Sequence, residues 1–146
     1  IVPEHKRSDS LAYDELFDET MLLYAAPGHP WFEPLRKAPG WAELRQQDLA
    51  ALGYHSPNLL LAHAKQLRRS ASASDQEAVA TLVLSGCFVG FLPDHYAAPF
   101  VAAGRLRAVN PRVLKYDCVF SAVQRRTPEP PRAAQAFHQA LLAAHR

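Results

Sequence analysis

The side chains able to do chemistry stand at the ends of apolar segments. His55-Ser56 follows the short apolar run Ala50–Tyr54, and Ser72, Ser74, Asp75 and Gln76 stand where a helix begins. In an open α/β sheet, ligands bind outside the carboxyl ends of the strands, where helix N-termini also present free N–H groups. An anionic ligand fits such a place. The competing reading is that Ser74 caps its helix and the rest is solvated turn. Spacing alone leaves both open.

Other chemistries find less support. There is no P-loop, GxGxxG, GxSxG or HExxH motif. The histidines (His5, His29, His55, His63, His95, His138 and His145) are scattered, with no pair at i, i+4, so no metal is expected. Two cysteines, Cys87 and Cys118, exclude a disulfide scaffold. Cys87 falls between a helix end and an apolar strand and reads as a buried small hydrophobe, since a nucleophile would need a base and an electropositive setting. Lys65, Arg68 and Arg69 form the main basic cluster. Without interleaved aromatics it reads as a solvated face.

The elements that position these residues follow from pattern. Leu11–Ala26 is strand-like, and Pro27-Gly28-His29-Pro30 stops it. Residues 31–40 read as loop, Trp41–Gln47 and Asn58–Ala64 as short helices, and Gln66–Ala73 as a weak strand. Ser74-Asp75-Gln76-Glu77 reads as a capping box with Ser74 as N-cap. Val79, Leu82, Val83 and Gly86 follow at helical spacing. Phe88–Leu92 is apolar throughout, as in a strand covered on both faces. A helix from Asp94 ends at Gly104, a C′ glycine. Strands at Leu106–Val109 and Tyr116–Gln124 precede a last helix from about Pro131, with Ala133, Ala136, Phe137, Ala140, Leu141 and Ala144 on one stripe. This order implies an α/β domain with a mixed, mostly parallel sheet flanked by helices.

Composition sets the outer bounds. A chain of 146 residues with 49% hydrophobic and 21% charged residues can fold around a core and is not disordered. No apolar run is long enough to span a membrane. The net charge of +2 gives no bulk case for nucleic acid. Arginine outnumbers lysine 12 to 4, a GC-rich coding bias of bacterial kind. Ile1-Val2-Pro3, without an initiator Met or signal segment, reads as the start of a piece of a longer chain, at the end of a strand.

The segment Leu82-Val-Leu-Ser-Gly-Cys-Phe-Val-Gly-Phe-Leu-Pro-Asp-His-Tyr-Ala97 resembles the signature of the effector-binding domain of LysR-type transcriptional regulators. Gly86, Val89, Gly90, Leu92 and Pro93 match it, Gly104-Arg105-Leu106 matches the later G-x-L, and His29-Pro30 matches the family's turn after a strand. Tyr116–Arg126 and the tail 131–146 match the last strand and helix. The resemblance covers nearly the whole chain in order. Phe88 departs from it by occupying a usual glycine. The short segment Pro57–Ser74 also departs, so that a helix common there is expected to be reduced or absent.

The resemblance implies a periplasmic-binding-protein-like (type 2) fold. Residues 1–26 would be the end of a first lobe and a crossover strand, 27–115 the second effector-binding lobe, and 116–146 the return crossover strand and C-terminal helix. It implies a cytoplasmic regulator rather than an enzyme, with no cofactor and no membrane partner. A small-molecule effector, such as an organic acid, would bind between lobes, and DNA would be bound only through an N-terminal domain upstream. The expected assembly is a homodimer or homotetramer, with the helix bearing Gln76, Ala80, Thr81 and Leu84 in the interface. The implied ligand-binding residues are His55, Ser56, Ser74, Asp75 and Gln76, with Phe91 and Pro93 walling the cleft. The alternatives are a solute-binding lobe of a transporter and an α/β enzyme using Cys87.

Overall fold

The computed structural model describes residues 1–4 and 6–145, so His5 and Arg146 lie outside the described residues. The elements in chain order are β1 (Val2–Pro3), β2 (Leu11–Ala25), α1 (Trp41–Leu44), β3 (Leu49–Leu52), α2 (Pro57–Ala64), β4 (Arg69–Ala73), α3 (Gln76–Leu84), β5 (Val89–Pro93), α4 (Asp94–Ala102), β6 (Arg107–Ala108), β7 (Lys115–Arg125) and α5 (Arg132–Ala144). Residues 1–19 with 118–146 form one compact unit, and residues 20–117 form another.

In the unit of residues 20–117, the strand order is β2-β5-β3-β4, with β6 also on β2. Here β3 runs parallel to β4 and to β5, while β2 runs antiparallel to β5 and β6. The result is a mixed sheet. β3 (LAAL) and β5 (VGFLP) are buried at every residue, as their uninterrupted apolar character requires of strands covered on both faces. Alternation along β5 puts Gly90 and Leu92 on one face and Phe91 on the other.

On the first of those faces α3 lies close. A Cβ built at Gly90 would meet Val83 Cγ2 at 2.7 Å and the Ala50 carbonyl oxygen at 3.1 Å. Only glycine lets the helix descend this far, which gives this motif glycine a packing role. Val79, Ala80 and Val83 of α3 join Tyr24, Leu52, Leu92, Ala97 and Leu106 in one apolar core. Ala80, expected on an interface side of the helix, is only 2% exposed and belongs to that core. Phe88 packs partly buried against the same cluster, so a side chain replaces the usual glycine without leaving the fold. On the opposite face Phe91 stacks with Trp41 at 6.0 Å and meets Tyr116 edge-on at 5.4 Å.

Two expectations need correction. The N-cap of α3 is Asp75, not Ser74: the Asp75 carboxylate accepts from Ala78 N–H at 2.8 Å, while Ser74 Oγ only donates to Asp75 Oδ2 at 3.2 Å. A carboxylate both accepts that N–H and complements the positive end of the helix, so it takes the cap from the neighbouring hydroxyl. Cys87 is exposed rather than buried, because it lies in the turn that leaves α3 and the covered strand begins only at Val89. The segment Pro57–Ser74 holds the short helix expected over Asn58–Ala64, the 8-residue α2.

The other unit pairs β1 antiparallel with β7, Val2 opposite Ser121. Phe17 stacks on Phe120 at 5.1 Å, and His138 Nε2 lies 3.0 Å from Asp14 Oδ2. No residue of α5 is buried, and Phe137 of its apolar stripe is 70% exposed.

Candidate effector-binding edge

The parallel strands β3, β4 and β5 all end at one edge of their sheet, and each is followed there by a helix. β3 leads to α2 and then outward to β4, whereas β4 leads through α3 back across β3 to β5. The strand order therefore reverses beside β3, which is the crevice position that ligands take in open α/β sheets. At this edge a cavity of about 340 Å³ is lined by Gly53, Tyr54, Ser72, Ala73 and Ser74, a volume that suits a small ligand.

The expected site residues fall around this edge in two groups and a remainder. His55 and Ser56 precede α2, while Ser74, Asp75 and Gln76 open α3 from the adjacent strand. His55, Ser74 and Asp75 are exposed and Gln76 is half-buried. Gln76 Oε1 is a buried oxygen with no hydrogen-bond partner. Ser56 is 2% exposed, and its hydroxyl accepts from Leu59 N–H at 3.3 Å as the cap of α2. Pro57 takes the first helical position, where a missing N–H costs nothing. Pro93 ends β5 at the same edge, but Phe91 is 1% exposed within the aromatic stack.

Electrostatics separates the three helix ends. Asp75 already complements α3, and Asp94 Oδ1 accepts from His95 N–H at 2.6 Å at the start of α4. α2 is capped by a neutral hydroxyl, and residues 53–74 contain no carboxylate. An anion is accommodated best at the α2 end, beside His55.

Sequence reasoning missed Asn58 and Tyr116. Asn58 is 4% exposed; its Oδ1 accepts from Leu52 N–H at 3.1 Å and its Nδ2 donates to the Tyr116 hydroxyl at 3.3 Å. One local signal was available. An asparagine in the first turn of a helix competes for backbone hydrogen bonds, which suggests a side chain turned back on the chain.

The opposite end of β3 is anchored by Asp48, which accepts from Arg68 and from the Ser70 hydroxyl. These hydrogen bonds hold its carboxyl below the usual carboxylate range. Lys65 lies 5.0 Å over the Trp41 ring, so two members of the basic cluster have intramolecular partners. Cys87 N–H donates to Ser85 Oγ at 3.2 Å, and Cys87 Sγ lies 3.9 Å from the Ser85 carbonyl oxygen. Among the described residues, no group of three or more His, Cys, Asp or Glu could hold a metal, and no helix is long and apolar enough to cross a membrane.

Residues 1–146 match the family described as the LysR substrate binding domain. The chain is 37% identical over 141 residues to the HTH-type transcriptional activator BauR of Pseudomonas aeruginosa, covering 97% of this chain and 46% of that protein. The chain thus spans about half the length of this relative. The full-length structure of HypT of Salmonella typhimurium, a hypochlorite-specific LysR-type transcriptional regulator, aligns with a TM-score of 0.74 at 17% identity, over 99% of this chain and 50% of that one. The effector domain of the transcriptional regulator AmpR of Pseudomonas aeruginosa aligns at 0.66 and 19% identity, over 94% of this chain and 66% of that one. At those identities the structural likeness establishes the fold.

Proposed function

The chain belongs to the LysR substrate-binding-domain family, and from that premise we propose that it is the effector-sensing part of a bacterial LysR-type transcription regulator. The family is a ligand-binding class, not an enzyme class. Residues 27–115 are the effector-binding lobe. Residues 1–26 and 116–146 supply the end of the other lobe, the crossover strands and the C-terminal helix. The whole protein is cytoplasmic, forms a homodimer or homotetramer, and meets DNA through an N-terminal domain. The description of BauR as an HTH-type activator supports that reading.

The observation that supports the site is the cavity lined by Gly53, Tyr54 and Ser72–Ser74, at the strand ends from which the chain runs on into α2 and α3. A small organic acid sits there, its carboxylate toward His55 and the neutral cap of α2. Ser74 and Gln76 bind its other polar groups, and Asp75 stays with its own helix. Pro93 ends the neighbouring strand β5, and Phe91, buried within that strand, backs the edge from the aromatic stack. An effector favouring one arrangement of the regulator shifts the population toward it.

A thermal-shift panel on the full-length protein tests this reading, using small carboxylic acids beside their neutral amides. Binding at a hundredfold excess over Kd adds about 2.7 kcal/mol of stability. The expected result is a raised Tm with at least one acid and none with its amide. Equal shifts with acid and amide would overturn the anion assignment.

A further inference from the structure

Asn58 and Tyr116 form a linkage that the effector reading does not require. Asn58 stands in the first turn of α2 and is nearly fully buried. Leu52 N–H can only donate, so it fixes Oδ1 toward β3 and leaves Nδ2 facing the Tyr116 hydroxyl. One side chain thus closes the loop Gly53–Ser56 and fastens it to the start of β7. The loop is held at two further points: Gly53 N–H donates to the Ala73 carbonyl at 2.8 Å, and Ser56 caps α2. The Tyr116 ring is steadied by its edge-on contact with Phe91.

A buried amide that loses one partner is left with an unpaired polar group, so its two bonds behave as a unit. A shift of the loop that carries Asn58 with it must drag Tyr116 or break the bond to it. β7 begins at Lys115 among residues 20–117 and continues to Arg125 among those of the other unit. We propose that Asn58 is a positioning residue that transmits the state of the Gly53–Ser56 loop to Tyr116 at the start of β7. The proposal rests on reading that loop as part of the effector edge. An effector that orders the loop is then registered on a strand that leaves the unit.

Hydrogen–deuterium exchange on the full-length protein, without any ligand, tests the linkage. Tyr116→Phe removes the hydroxyl and keeps the ring against Phe91. It is expected to speed exchange at residues 53–58 by about tenfold and leave residues 79–92 unchanged. Asn58→Leu is expected to speed exchange at residues 115–117, because coupling is reciprocal. Adding Tyr116→Phe to Asn58→Leu should then change nothing further. Wild-type exchange at 53–58 in Tyr116→Phe, equal acceleration throughout the chain, or additive effects in the double variant would each overturn the proposal. Should Asn58→Leu fail to fold, the Tyr116→Phe comparison decides with its own two outcomes. No ligand enters the measurement, so its failure is separable from failure of the thermal-shift panel.

Discussion

Gly86 and Pro27 touch backbone to backbone: a Cβ placed on Gly86 would lie 2.4 Å from the Pro27 carbonyl oxygen. Gly86 also has φ +77, a conformation that L side chains rarely adopt. The turn after β2 and the turn after α3 are thereby pressed together.

Gly86→Ala is accordingly expected to destabilise the protein by at least about 2 kcal/mol, from left-handed strain plus the clash. Urea melts measure this, and a change within about 0.5 kcal/mol would mean that the two turns separate at little cost.

The cap of α3 separates two neighbouring residues. Asp75→Ala should cost about 1 kcal/mol by freeing the Ala78 N–H, whereas Ser74→Ala should cost less than about 0.5 kcal/mol. Equal losses in paired denaturant melts would return the cap to Ser74.

His29 supplies a pH dependence. It is 7% exposed, and its Nδ1 accepts from Trp31 N–H at 3.1 Å, so the neutral ring carries its proton on Nε2. Burial pushes its pKa below 6.5, against an opposing pull from Asp48. The unfolded chain then binds the proton more readily than the folded one. The stabilisation is complete above pH 6.5 and is lost as pH falls below it through the folded value. The stability advantage of wild type over His29→Asn should shrink between about pH 7.5 and about pH 5. An advantage that stays constant over this range would contradict a neutral, buried His29.

What the sequence reveals here depends on how local the cause is. Val89–Pro93 is legible because a short, wholly apolar run needs cover on both faces. Gly104 is legible as a C′ residue, and its φ is +67. The edge holding His55, Ser56 and Ser74–Gln76 is legible because the residues after parallel strands face one way. The choice between Ser74 and Asp75 as cap is not, because it turns on one residue's backbone angles. The exposure of Cys87 depends on where a turn ends and a strand begins. The bond between Asn58 and Tyr116 joins positions brought together only by the sheet, and neither residue type announces the other.

Titration calorimetry on the full-length protein measures directly whether an effector is held between the starts of α2 and α3. It uses a carboxylic acid that raises the Tm, compared across wild type, His55→Ala and Gln76→Ala. His55 directly precedes the cap of α2 and Gln76 opens α3, each within two residues of the cavity lining. At least about a tenfold loss of affinity is expected in each variant, equivalent to about 1.4 kcal/mol. Undiminished affinity in both variants would contradict it and place the effector elsewhere.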